Sequence, residues 1–434
     1  MLFNQTLTYI SLFSGAGVGC YGLLEEGFEC VATNEILEKR LNIQRINNKC
    51  KFDEGYICGD IKELEIKEKI LKRIEFYSKN FGNDRVDLVV ATPPCQGMSV
   101  ANHKKKNDEI KRNSLVIESV DLIKQIKPRF FILENVPSFY KTGCIDKNDN
   151  LLEIGSMIEQ NLSGDYRLYD EVINFKNFGA NSSRTRTLVI GVCKEFKDFT
   201  SALEFFPDFK QEKTLKEVIG SLKPLTWGEY DSTDFYHSFR TYPKHMQEWI
   251  KDLKEGQSAF ENVQDAISDL AYLCSNEGAF ESDYLNPIQS SYQALMRKNS
   301  PKLYNHQATN HSQAALEKLK LINKEQGKEC LPKNLHGKQQ FKSTWGRLNW
   351  NKISPTIDTR FDTPSNGTNS HPKLHRSITP REAARIQSFS DNYIFYGNKT
   401  SVCKQIGNAV PPLLALALGK AILKSARNDT NPSR

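Results

Sequence analysis

The chain has 434 residues, which allows two or three domains and a sizeable core. Its 59 basic residues are nearly matched by 52 acidic ones, so a net charge of +7 permits a polyanionic partner but tells against a wholly cationic binding module. Ten cysteines without a C-x-x-C pair argue against a zinc ribbon or a disulfide framework, and no run reaches the roughly eighteen apolar residues of a membrane span.

The opening MLFNQTLTYISLF lacks a basic stretch and a small-residue cleavage site, so no signal peptide is expected and the cytoplasm is the expected location. LTYISLF then reads as a strand, GCYGLLEEG as a helix, FECVATNEI as a strand and EGYICGDI as a short strand and turn. IKEKILKRIEFYSKNF has helical spacing of Ile and Leu. VDLVVA is a continuous apolar run, as in a strand covered on both faces. SLVIESVDLIKQIK is a second amphipathic helix and PRFFILENV a further buried strand. Strands alternating with helices imply βαβ units and a parallel sheet, an α/β fold. YDEVINF and RTLVIGVC add two strands. Beyond Lys194 the apolar runs shorten, and helical segments such as YPKHMQEWIKDL and NVQDAISDLAYL sit between polar loops, so a second, less regular lobe is expected. The chain closes on an apolar helix, PPLLALALGKAILKSA.

YISLFSGAGVGC is a strand followed by Gly15, Gly17 and Gly19 at the mouth of a helix, where a backbone can approach a ligand closely. Glu35 ends the next strand and could accept hydrogen bonds from a ribose diol; Asp60 ends the one after and could accept from an exocyclic amine. The plain alternative for both is a surface carboxylate at a strand end. The spacing departs from G-x-G-x-x-G and no P-loop lysine follows, which suits an adenosyl ligand without a triphosphate. Cys95 follows two prolines at the end of VDLVVA and precedes Lys104, Lys105, Lys106, Lys111 and Arg112. A core cysteine is the ordinary reading, but a thiol near positive charge becomes a nucleophile. Glu134, after four apolar residues, is expected to be partly buried and able to carry a proton near neutrality. Arg184 and Arg186 are expected on one strand face, where they would hold a carbonyl oxygen or phosphate, or simply face solvent.

In this order the blocks resemble the cytosine-C5 DNA methyltransferases. FSGAGVG is similar to the family's S-adenosylmethionine motif, PPCQGMS to its nucleophile motif, ENV to its proton-donor motif and RTR to its R-x-R. RSITPREAARIQSF and KQIGNAVPP are similar to its last two motifs, so the resemblance covers about 1–194 and 344–424. One departure is Ser182, where the family usually has a glutamine two residues before the first arginine, leaving a loop or sheet contact one amide short.

The resemblance implies an S-adenosylmethionine-dependent methyltransferase fold with a mixed, mostly parallel sheet. The catalytic domain would span 1–194, an irregular target-recognition domain 195–375 (variable over about 195–343), and a hinge with the returning C-terminal helix 376–434. Cys95 would add to C6 of a cytosine flipped from duplex DNA, making C5 able to attack the methyl group. Glu134 would contact N3 and the exocyclic amine, Arg186 would hold O2, and Arg184 would support the nucleophile or its loop. Phe13 would pack on the cofactor's adenine with Ile36 and Leu115 as walls, beside Gly15, Ala16, Gly17, Glu35, Asp60, Ile61 and Pro93; Asn408 and Val410 would complete the methionine end. Gln96, Ser99, Lys104 and Lys105, in the loop after the nucleophile, and Arg360 and Asn366, in TRFDTPSNGTNSHP, would contact DNA. No metal is implied. The partners implied are double-stranded DNA and, functionally, a cognate restriction endonuclease, with a monomer suited to reading each strand in turn. Two alternatives stay open: an RNA cytosine methyltransferase, since a tRNA-directed branch shares these motifs but has a shorter recognition region, and a catalytically inactive DNA-binding regulator.

Overall fold

The computed structural model describes residues 6–94, 113–195, 262–323, 326–336 and 343–428. Cys95, Gln96, Ser99, Lys104, Lys105 and the expected helix YPKHMQEWIKDL lie outside the described residues. The chain divides into two compact units, one formed by 1–174, 185–206 and 415–434, the other by 175–184 and 207–414. This partition differs from the boundaries at 194 and 375 that motif order suggested, because the chain leaves the first unit for ten residues at 175–184 and returns to it for good only from Ala415.

The first unit is built on a seven-stranded sheet. Its strands are β1 (Thr8–Leu12), β2 (Glu29–Glu35), β3 (Tyr56–Cys58), β4 (Leu88–Ala91), β5 (Phe130–Asn135), β8 (Tyr166–Asn174) and β9 (Thr185–Cys193), in the order β3-β2-β1-β4-β5-β9-β8. The first five run parallel, and β9 is antiparallel to both β5 and β8. The sheet is therefore mixed and mostly parallel, as expected. β1 and β4 are buried along their whole length, which is why they read as apolar runs without alternation. The intervening helices are α1 (Tyr21–Glu25), α2 (Glu38–Ile46), α3 (Leu64–Phe81), α4 (Leu115–Ile126) and α5 (Ile154–Leu162). A small hairpin of β6 (Gly143–Ile145) and β7 (Leu151–Glu153) precedes α5.

α3 buries Ile66, Ile70, Arg73 and Tyr77, one stripe of a 3.6-residue period, and stops at Gly82, whose left-handed φ of 69° lets its N–H cap the Ser78 carbonyl. Side chains of α3, α4 and α5 pack on Ile10, Val89, Phe131 and Leu133 in one core. Phe131 lies opposite Gly191 in the β5–β9 register, and a Cβ at Gly191 would fall 1.9 Å from its ring, so the glycine is the space the phenyl occupies. Truncating Phe131 to alanine would cost about 3–5 kcal/mol.

The second unit has little regular structure: α6 (Val263–Ile267), a two-stranded antiparallel sheet of β10 (Gly278–Ser282) and β11 (Leu303–Gln307), α7 (Ser291–Arg297), α8 (Gln313–Leu321), α9 (Pro380–Ile386) and α10 (Lys399–Gly407). α6 is shorter than the apolar spacing of NVQDAISDLAYL suggests, and is opened by a reciprocal Asn262–Asp265 capping box. The last helix, α11 (Pro412–Asn428), begins in this unit and belongs to the first from Ala415, where Gly419 permits close approach of Leu23 and Phe28. Among the described residues no single helix is long and apolar enough to cross a membrane.

Candidate active site

The carboxyl ends of β1, β2, β4 and β5 carry the residues that the motifs singled out. After β1 the chain turns sharply, with φ of 53° at Phe13, 56° at Gly15 and 86° at Gly17. Phe13 is an L-residue in a conformation that usually selects glycine, a strain of order 1–3 kcal/mol that surrounding bonds must hold. Two do so: Ser14 N–H donates to the Asn34 carbonyl at 3.0 Å, and the Thr92 hydroxyl donates to the Phe13 carbonyl at 3.0 Å.

Glu35, at the end of β2, is 4% exposed and wholly engaged in this turn. Its Oε2 accepts the Gly15 N–H at 2.9 Å, while Oε1 accepts the Leu37 N–H at 3.2 Å and Arg40 Nη1 at 3.0 Å. The surface-carboxylate alternative therefore fails for Glu35. Ile36 beside it is 58% exposed, an aliphatic side chain turned to solvent at a strand end. Ala16, Ile61 and Pro93 are buried, and Phe13, Asp60 and Leu115 are intermediate. Asp60 Oδ1 accepts the Lys62 N–H at 3.1 Å.

β4 and β5 are joined at the same edge by a side chain the motif reading did not weigh. Asn135 Nδ2 donates to the Pro93 carbonyl at 2.9 Å, and its Oδ1 accepts the Val136 N–H at 2.9 Å. Asn135 thereby clamps the backbone two residues before Cys95 to the loop that follows Glu134. Glu134 is 12% exposed at its side chain and pairs with Arg186 Nε at 3.1 Å across the β5–β9 ladder. The two arginines of R-x-R do not share a strand face. Arg184 precedes β9, and its buried guanidinium donates to the carbonyls of Ile357 and Gly407 within the second unit. Ser182 is completely buried and bridges Ser354, so the position of the missing amide is interior.

In the second unit Asn408 caps α10 and is exposed, and Val410 is buried. Arg360 and Asn366 are exposed and lie on one loop braced by Asp358, which accepts the Arg360 N–H at 2.6 Å and Asn366 Nδ2 at 2.8 Å. Among the described residues no group of three or more His, Cys, Asp or Glu could hold a metal.

The family model for C-5 cytosine-specific DNA methylase matches residues 7–424, nearly the whole chain. The chain belongs to that family. This DNA cytosine-5-methyltransferase is 28% identical to the type II methyltransferase M.DdeI of Desulfomicrobium norvegicum, over 96% of this chain and 88% of that one. It is 26% identical to the type II methyltransferase M1.HphI of Haemophilus parahaemolyticus, over 99% and 90% respectively. Among solved structures it shares its fold with a prophage-encoded DNA modification methyltransferase of E. coli, at a TM-score of 0.62 and 22% identity over 98% of this chain and 99% of that one.

Residues that sequence reasoning missed in the methylase are Asn135, Arg40, Gln44 and Lys49. Asn135 was legible as the neighbour of Glu134. Gln44 had only a weak signal: a polar residue three positions after Leu41 on the buried side of α2.

Proposed function

We propose that the enzyme transfers a methyl group from S-adenosylmethionine to C5 of a cytosine flipped out of a short duplex DNA sequence, through a covalent bond between Cys95 and C6. The observation that carries this reading is the double tie at one sheet edge, Asn135 to the Pro93 carbonyl and Glu134 to Arg186, which brings the nucleophile and proton-donor segments together. Residues present suit an adenosyl donor. A Cβ at Gly15 would meet nothing within 4 Å, which leaves room beside the turn, and exposed Ile36 and half-buried Phe13 are the residues that would wall a bound donor. The donor supplies an electrophilic methyl on a sulfonium.

The chain's own residues do the rest. The Cys95 thiolate adds to C6, and Glu134 stabilises the proton at ring N3 while Arg186 orients O2. Electron density moves to C5, which takes the methyl as the S–CH3 bond of the sulfonium breaks to leave a neutral thioether; a water acting as base then takes the C5 proton, the C5–C6 double bond re-forms and the Cys95 thiolate is expelled. Flipping costs a few kcal/mol, to be recovered from contacts of Gln96, Ser99, Lys104, Lys105, Arg360 and Asn366 with the DNA. The Arg186–Glu134 ion pair pre-orients both groups for one planar ring, the arrangement that positional catalysis requires. In this reading the enzyme acts as a cytoplasmic monomer and protects host DNA from a cognate restriction endonuclease.

The test is trapping. Duplex DNA carrying 5-fluorocytosine, given with S-adenosylmethionine, should leave a denaturation-resistant adduct on the wild-type chain and none on Cys95→Ser. Absence of any adduct with wild type, on DNA whose site has been mapped by bisulfite sequencing, would sink the covalent mechanism.

A further inference from the structure

Beneath the glycine turn lies a chain of polar side chains that the catalytic reading does not use. Gln44 of α2 is 1% exposed and Thr33 of β2 and Lys49 are equally interior. Lys49 Nζ donates to Thr33 Oγ1 at 3.1 Å, and Thr33 Oγ1 donates to Gln44 Oε1 at 2.7 Å. Gln44 Nε2 donates to Ser14 Oγ at 2.8 Å and to the Gly15 carbonyl at 2.7 Å, and Ser14 Oγ donates to the Asn34 carbonyl at 3.0 Å.

The protons in this chain have one consistent assignment. An ammonium can only donate, so the Thr33 hydroxyl must accept from Lys49 and spend its own proton on Gln44. That proton selects the oxygen end of the amide, and the nitrogen end is thereby aimed at the loop. Every hydrogen bond then runs from the buried cation toward a backbone carbonyl, an order in which each bond polarises the next. Gly15 is held at both ends of its peptide units, its N–H by Glu35 and its carbonyl by Gln44. Gly17 passes so close that a Cβ there would stand 2.7 Å from Gln44 Cγ, so loop and glutamine fit only one another.

We propose that Gln44 is a positioning residue for methyl-donor binding, oriented by Thr33 and Lys49, and that the polarity of this relay rather than its bulk sets the turn in its binding shape. The inference rests on the donor assignment made above. It predicts that an isosteric loss of polarity two bonds from the loop is felt at the donor.

Thr33→Val removes the hydroxyl at nearly constant volume without touching the turn. It should raise the donor's Kd by titration calorimetry, and its KM in a tritiated-methyl assay, about tenfold, with kcat changed less than about threefold. Thr33→Ser, which keeps the hydroxyl, should restore wild-type binding. Gln44→Glu, which opposes a carboxylate oxygen to the Gly15 carbonyl, should weaken the donor more than Gln44→Met. A melting curve taken without donor reports folding, and because Thr33→Val and Thr33→Ser are similarly small changes, only a polarity effect separates them. Equal donor affinity for wild type and Thr33→Val would overturn the relay. Failure of the wild type itself to bind S-adenosylmethionine would overturn the donor assignment and this inference with it.

Discussion

The two units solve one problem, buried backbone polarity, in different ways. In the first, six strands run one way and β9 the other, their peptide groups are satisfied in ladders, and a hydrocarbon core packs against the sheet. The second has one two-stranded sheet among its described residues, yet its interior holds long irregular segments whose carbonyls need donors. Arginines supply them. Arg347 donates to the carbonyls of Leu319, Ile322, His371 and Leu374, and Arg381 to those of Tyr304, Ser390 and Tyr393. Arg376 bonds the Leu273 carbonyl as well as Glu382, and Arg184 holds Ile357 and Gly407. A guanidinium fork offers five donors in one plane, so a few of them replace a missing strand.

Such a scaffold needs counter-charges. Arg385 bonds both oxygens of Asp391, at 2.9 and 2.6 Å, and Asp269 at 2.5 Å, all completely or almost completely buried. Burial alone would push the Glu382 carboxyl up, but Arg376 outweighs it and holds it well below the usual carboxylate range; Arg385 does the same for Asp391. Burial drives the imidazoles the other way: His311 falls to about 4 and His371 to about 3, and His306 is also lowered. The first unit sets two of its ion pairs at the sheet edge, Glu35 with Arg40 at the glycine turn and Glu134 with Arg186.

If that contrast is right, charge deletions in the second unit cost stability and polar deletions in the first cost activity. The largest effect is expected for Arg385→Met, which removes the buried cation that Asp269 and Asp391 share, leaving Asp269 to Arg297 and Asp391 to Arg381 and Tyr284, and should cost about 3–5 kcal/mol. Hydrogen exchange across residues 376–393 in the full chain would show it, and protection like that of the wild type would break the contrast. Next, Asn135→Ala should lower kcat roughly tenfold or more by freeing the turn before Cys95, with the urea midpoint little changed. A large loss of stability instead would make Asn135 a fold residue like the buried arginines.

The pH response should separate the units as well. The lowered imidazoles stay neutral in the folded state while the unfolded chain takes up protons, so stability falls as pH drops from about 6.5 toward 4. The depressed carboxyls of Glu382 and Asp391 stabilise above the unfolded carboxylate pKa, and their share is lost only at lower pH. Exchange measured at pH 7 and pH 5 should therefore show the second unit loosening first, and equal loosening of both would count against the assignment. The smallest effect is expected for Arg40→Ala. Its ion pair with Glu35 is partly exposed, and Glu35 keeps two backbone donors, so the donor KM should rise only about twofold. A rise as large as that of Glu35→Ala would give Arg40 a share in donor binding of its own.

Order along the chain was legible in the sequence. Apolar runs at VDLVVA and FFIL announced strands, the spacing of Ile and Leu announced α3 and α4, and the motifs fell at the carboxyl ends of β1, β4 and β5 because a strand's periodicity ends where its burial does. Partnerships were not. RTR looked like one strand face, yet Arg186 goes to Glu134 and Arg184 to a carbonyl 223 residues away. Gln44 looked like an ordinary helix position until Thr33 oriented its amide and the loop received it. Local spacing reports only what each residue does to its neighbours a few positions on. Which donor meets which acceptor across hundreds of residues is settled when the chain folds and every buried polar group must find a partner.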